Sequence, residues 1–181
     1  MRRVLVFSFL LFTVPLLAQN EDDHQNLDVR SPVGDLHVGK DANAEKAGLP
    51  LYPGARPKHD EQNDPLNLGI FTESFGMKLV VAKYESDDPP AKILAYYRDK
   101  MKKYGKVLEC AEKNGNGDVH TGDDNDLSKP VKCEGDNSGP VRELKVGTEG
   151  DAHVVALDTE SGKGTTFALI YLHRRGKSGE I

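Results

Sequence analysis

The chain has 181 residues, 37% apolar and 29% charged, with a formal net charge of −5. That length supports one domain with a modest core. The acidic balance argues against nucleic acid, whose binding rests on Lys and Arg neutralising phosphates, and against adhesion to anionic lipid.

Arg2 and Arg3 precede fifteen mostly apolar residues, Val4 to Ala18, with Pro15 near the end of the run. This is the layout of a secretory signal peptide over residues 1–18. Fifteen residues of helix reach about 22 Å, short of the roughly 30 Å hydrocarbon core of a bilayer. Gln19 rather than a cysteine follows Ala18, which speaks against a lipid anchor. The expected mature protein starts near Gln19 and is periplasmic or secreted, with no stable membrane insertion once the signal is cleaved. Cleavage leaves 22 basic against 29 acidic residues, a net charge of −7.

Residues 19–26 are polar and acidic and are expected to form a disordered lead. Leu27, Val29, Leu36 and Val38 alternate with polar residues on either side of Ser31-Pro32-Val33-Gly34, which predicts a small hairpin. Lys40 to Gly48 reads as a polar connector. In Leu49-Pro50-Leu51-Tyr52-Pro53-Gly54-Ala55, two prolines and a glycine exclude a helix or a central strand. The segment is expected to run extended, its apolar residues covering one side of the core. After a charged loop, Leu66–Thr72 and Met77–Glu85 read as two strands joined near Ser74-Phe75-Gly76. Val80, Ala82 and Tyr84 fall on one face of the second strand, and Leu79 and Val81 on the other.

The pattern predicts one main helix near Pro89 to Tyr104. Asp87 or Asp88 is placed to cap it, Pro89 suits its first turn, and Gly105 suits a left-handed stop. Ile93, Leu94, Tyr97, Met101 and Tyr104 form its apolar stripe, expected to pack on a sheet. Lys106 to Cys110 continues as a strand. Ala111 to Lys132, rich in Gly, Asn and Asp, reads as a long surface loop. Export places Cys110 and Cys133 in an oxidising compartment, where an even count favours a disulfide. From Val141 the pattern turns to strands around Leu144 and Val146, Val154 to Leu157, and Thr165 to His173, a β-meander. The expected class is α+β, one helix on an antiparallel sheet of about six strands with an N-terminal hairpin. It forms a single domain over residues 27–175, followed by a frayed tail at 176–181.

Familiar motifs fail on inspection. Gly135-Asp136-Asn137-Ser138-Gly139-Pro140 holds asparagine where a serine-protease loop needs its serine, and Gly176-Lys177-Ser178 lacks the glycine and helix of a phosphate loop. Asp118, Asp123, Asp124 and Asp126 are oxygen ligands suited to Ca²⁺, yet no EF-hand register fits them. A solvated acidic loop is the expected reading and an irregular calcium site the alternative. Of six histidines, His153 and His173 become near-neighbours if the last two strands pair, the possible start of a metal site without a nameable third ligand. No catalytic constellation and no cofactor motif occurs.

Two stretches together carry a resemblance: Val29-Arg30-Ser31-Pro32-Val33-Gly34-Asp35-Leu36-His37-Val38 before Gly48-Leu49-Pro50-Leu51-Tyr52-Pro53-Gly54-Ala55, and Tyr84-Glu85-Ser86-Asp87-Asp88-Pro89 before Tyr96-Tyr97-Arg98 and Tyr104-Gly105. They resemble a group of exported proteins of acidobacteria-like soil bacteria, over roughly residues 27–110. The resemblance implies export and carries no activity and no functional residue. The expected function is a non-catalytic exported domain binding an envelope protein or a small ligand, without a cofactor. An enzyme of unfamiliar, hydrolase-like type is the alternative, and a weak metal-binding protein the second.

Overall fold

The computed structural model describes residues 26–58, 64–112, 126–133, 137–158 and 164–176. Among these residues there are nine strands: β1 (Leu27–Ser31), β2 (Gly34–Gly39), β3 (Arg56–Pro57), β4 (Leu66–Phe71), β5 (Gly76–Ser86), β6 (Leu108–Glu112), β7 (Val141–Thr148), β8 (Asp151–Asp158) and β9 (Thr165–Arg175). The one α-helix among the described residues, α1 (Pro90–Met101), runs into a 3-10 turn at Lys102–Tyr104. All strands join one antiparallel sheet in the order β1-β2-β4-β5-β9-β8-β7-β6, with β3 paired beside β5. The signal-peptide stretch lies outside the described residues. Among those described, no helix is long and apolar enough to cross a membrane.

This is a mainly-β fold, which corrects the expected α+β class: half of the described residues are strand, and the helix with its 3-10 turn covers only 15 of them. Period-two alternation identified most strands but not how they join. The expected N-terminal hairpin is continuous with the rest of the sheet because β2 pairs β4 from Asp35↔Phe71 to Gly39↔Asn67. Arg56–Pro57 is too short to leave a periodic trace.

Each strand presents alternate residues to two faces. The helix face carries Val80, Ala82 and Tyr84 from β5, Leu144 and Val146 from β7, Val155 and Leu157 from β8, and Phe167 and Leu169 from β9, all buried. Ile93, Leu94, Tyr97 and Met101 of α1 close over them, as the helical stripe predicts. The Leu49–Ala55 segment completes that layer with buried Leu49 and Tyr52, while Leu51 stays exposed. The start of the helix differs from expectation. Pro89 is the capping residue and makes no side-chain cap. Asp87 instead bonds Arg56, and Asp88 accepts from Tyr52 Oη at 2.8 Å and Lys92 Nζ at 2.7 Å. Gly105 ends the 3-10 turn at φ 134°, a backbone conformation suited to glycine.

On the second face, Ala152 and Val154 of β8 and Ile170 and Leu172 of β9 are buried. Toward β4 and β2 the same face carries half-buried Leu79, Val81, Leu68, Ile70, Leu36 and Val38. It also holds a buried ion pair, Lys145 Nζ to Glu143 Oε2 at 3.1 Å, with side chains 6% and 0% exposed. Cys110 and Cys133 form the expected disulfide with Cα atoms 5.3 Å apart.

Replacing Lys145 by Met is expected to cost about 3–5 kcal/mol, because it takes the ammonium away from a buried carboxylate, whereas replacing both members by apolar residues is expected to be close to neutral. Urea unfolding of the three proteins checks this. Reducing the disulfide frees a loop of sequence separation 23 and is expected to remove up to about 3.5 kcal/mol. The melting temperature with and without reductant measures it, and the helical circular dichroism should survive below the lowered transition.

Candidate functional site

The pairing of β8 with β9 sets His153 opposite Tyr171 and Asp151 opposite His173, all on the helix face. The two histidines are therefore on one face of adjacent strands, but an aromatic ring separates them. His153 stacks on Tyr171 with centroids 4.8 Å apart, and Tyr171 on His173 at 6.4 Å. Tyr104, from the 3-10 turn, stacks on the opposite side of His153 at 3.7 Å. The four rings lie nearly parallel, with successive planes 22–26° apart. Lys103 Nζ sits 4.6 Å over the Tyr104 ring.

The floor comes from the connector before Leu49. Hydrogen bonds from Ala47 N to Asn43 O (3.0 Å), Gly48 N to Glu45 O (2.9 Å) and Leu49 N to Ala44 O (3.0 Å) wind it into a tight turn. That turn aims two carbonyls at the rings. Ala47 O lies 3.0 Å from His153 Nδ1, and Gly48 O accepts from the Tyr104 hydroxyl. Gly48 itself has φ +73°, and a Cβ there would stand 2.8 Å from His153 Cε1. Both the left-handed backbone and the close approach require glycine.

A carbonyl only accepts, so His153 Nδ1 carries the proton and donates. Burial lowers the His153 pKa against the opposing pull of that hydrogen bond, keeping the ring neutral. Nε2 is then an acceptor, and no residue among those described pairs with it. Tyr171 is held protonated, its pKa raised first by burial and then by the Asp151 carboxylate. Lys46 places its ammonium on Asp41, which also accepts from Asn67 Nδ2 at 2.9 Å. Chiefly through the Lys46 bond, the Asp41 carboxyl is held at about 2.

These groups border a cleft of about 560 Å³ between the Lys46–Gly48 turn, Tyr104 and the β7–β8 end at Thr148 and Asp151. That is the size of a small-molecule site. Its polar atoms are largely committed to the fold. Thr148 Oγ1 accepts from Gly150 N at 3.3 Å and Asp151 N at 3.2 Å. Asp151 Oδ2 lies 3.4 Å from His173 Nδ1. The acceptor capacity left is His153 Nε2 and the remaining lone pairs of the exposed Asp151 carboxylate, which the Tyr171 hydroxyl also meets.

The other residues singled out by the sequence lie elsewhere. Asp126 Oδ1 accepts from Ser128 N at 3.1 Å and Ser128 Oγ at 2.6 Å, and these bonds lower its pKa. Asp118, Asp123 and Asp124 lie outside the described residues. Among those described, no group of three His, Cys, Asp or Glu side chains could hold a metal ion. Sequence reasoning missed Lys46, Gly48, Tyr104 and Tyr171 as site residues. Tyr104 was visible only as part of an apolar helical stripe, and Tyr171 only as one step in a strand alternation. No protein-family model, curated protein or solved structure matches the chain.

The neutral His153 ring belongs to the folded state, and the unfolded chain takes up the proton first. Its contribution to stability is full above the ordinary value of 6.5 and is lost as pH falls below it. Stability should therefore decline from pH 6.5 downward with a slope of up to about 1.4 kcal/mol per pH unit, and His153→Gln should flatten that slope. The depressed carboxylates act only below their ordinary 3.8, so between pH 5 and 6.5 the difference in slope between wild type and His153→Gln reports the imidazole. Urea unfolding at half-unit pH steps measures the effect.

Proposed function

We propose that the protein is an exported, non-catalytic binding domain whose cleft takes a small ligand rich in hydrogen-bond donors. One observation carries the reading. His153 is tied by Nδ1 to Ala47 O at 3.0 Å, which orients Nε2 as a fixed acceptor near Asp151 in a small-molecule-sized cleft. A polyol, a sugar or an amide offers the donors that such a pair of acceptors selects. Export is supported by the signal-peptide layout and by the disulfide.

A hydrolase-like enzyme is the second reading, favoured by a cleft that gathers His153, Asp151 and Tyr171, two of them with shifted pKa values. Against it, the cleft hydroxyl of Thr148 accepts two main-chain N–H groups and has no base bonded to it. Metal binding through the acidic loop is the third, and native mass spectrometry with and without EDTA reads it directly.

The decisive experiment follows the His153 imidazole signal by NMR while polyols, sugars and amides are titrated. A saturable shift is expected, and Tyr171→Ala should weaken that ligand by about tenfold or more by removing one wall of the ring stack. No shift with any of the three classes would refute the binding reading. Turnover of ester, glycoside, peptide or phosphate substrates that His153→Gln abolishes would install the enzymatic one.

A further inference from the structure

The two edges of the sheet are finished differently. At the β6 edge, Ala111 N donates to Asn137 Oδ1 at 2.5 Å and Ala111 O accepts from Gly139 N at 2.8 Å. The disulfide to Cys133 lies on the same border, so that edge is covered. At the other end, among the described residues, β1 pairs only with β2, and all five of its residues are exposed. An uncovered edge strand is a row of donors and acceptors awaiting another chain.

The register says which groups face outward. Ser31↔Gly34 closes the hairpin around the two-residue Pro32-Val33 turn, so this pair exchanges both hydrogen bonds. By alternation, Leu27, Val29 and Ser31 turn their main-chain groups toward β2, and Asp28 and Arg30 turn theirs outward. Now lay a second copy of β1 antiparallel beside the first, with the two-fold axis at Val29. Asp28 of one copy comes opposite Arg30 of the other, and Arg30 opposite Asp28. These are the residues whose outward N–H and C=O groups can pair, and their side chains carry opposite charges on one face. Val29 meets Val29 at the non-hydrogen-bonded position, where side chains approach most closely.

On the opposite face, Leu27 and Val29 are 56% and 45% exposed, and they continue the half-buried row of Leu36, Val38, Leu68 and Ile70. The strand is thus self-complementary in hydrogen bonding, in charge and in its apolar fringe, as an isologous interface demands.

We infer that two copies of this chain join edge to edge through β1, the axis passing at Val29. The contact is independent of the cleft, which lies toward the other end of the sheet. One five-residue strand and its fringe fall below the roughly 800 Å² per partner of a tight complex, so the dimer is reversible, with Kd on the order of 10–100 µM.

Sedimentation equilibrium of the purified protein over about 1 µM to 1 mM tests this range. Wild type should pass from monomer to dimer. Asp28→Arg and Arg30→Asp each set like charges opposite one another, twice per dimer by symmetry, and should raise Kd by about tenfold or more. Combining both substitutions restores opposite charges across the axis and should return Kd to within about threefold of wild type. Within one copy, however, the combined change places a carboxylate opposite Asp35 and a guanidinium opposite His37. Hairpin damage alone would therefore leave the double variant at least as monomeric as either single one, and that result overturns the proposal. So does a wild-type protein that stays monomeric throughout, which would leave β1 to a different chain.

Discussion

Burial of the Tyr97 phenol is the constraint on which the rest of this structure depends. The ring is wholly enclosed, with centroids 5.1 Å from Tyr96, 5.7 Å from Phe167 and 6.5 Å from Tyr52. Such aromatic pairs add about 0.5–1.5 kcal/mol each beyond area burial. A buried hydroxyl must also find a partner. Tyr97 Oη accepts from Tyr52 N at 3.1 Å, and burial raises its pKa so that it stays neutral in that role. One side chain thereby joins the helix, the sheet and the proline-rich segment.

Tyr84 makes the reciprocal contact from the sheet, its hydroxyl accepting from Ala44 N at 2.8 Å. The connector is thus pinned at Ala44 from below and at Tyr52 from the helix. Ala47 and Gly48 lie between those two points, so their carbonyls are aimed by the core rather than by local preference. The cleft inherits its geometry from this clamp. A buried neutral histidine is tolerable there because the carbonyl it needs is delivered to it, and a glycine lets that delivery come close.

Strands β5 and β9, eleven residues each and paired from Gly76↔Arg175 to Ser86↔Thr165, unite the hairpin half and the meander half of the sheet. They make one broad sheet with a single helix over part of one face. Its two faces serve different ends. The helix face holds the aromatic core and the ring stack, and the second face encloses the Glu143–Lys145 pair. An ion pair in such a place contributes little net stability, since desolvation offsets most of the attraction.

Much of this protein was determined by its sequence alone. Period-two alternation marked the long strands, because a half-covered sheet face needs an apolar residue at every second position. Helical spacing marked Ile93, Leu94, Tyr97 and Met101 as the packed stripe, and two prolines and a glycine excluded regular structure at Leu49–Ala55. The cysteine pairing followed from the count, since two cysteines admit one bridge. Tertiary structure alone decided the fold class, because alternation names a strand but not its neighbour, and the β2–β4 and β5–β9 pairings turned a hairpin and a meander into one sheet. It decided the site as well. Gly48, Tyr104, His153 and Tyr171 come from a connector, a 3-10 turn and two strands, and no spacing in the chain reports that they meet. Glu143 and Lys145 alternate with Leu144 and Val146 along β7, yet both faces are buried there. Periodicity records which residues share a face; only packing determines what covers it.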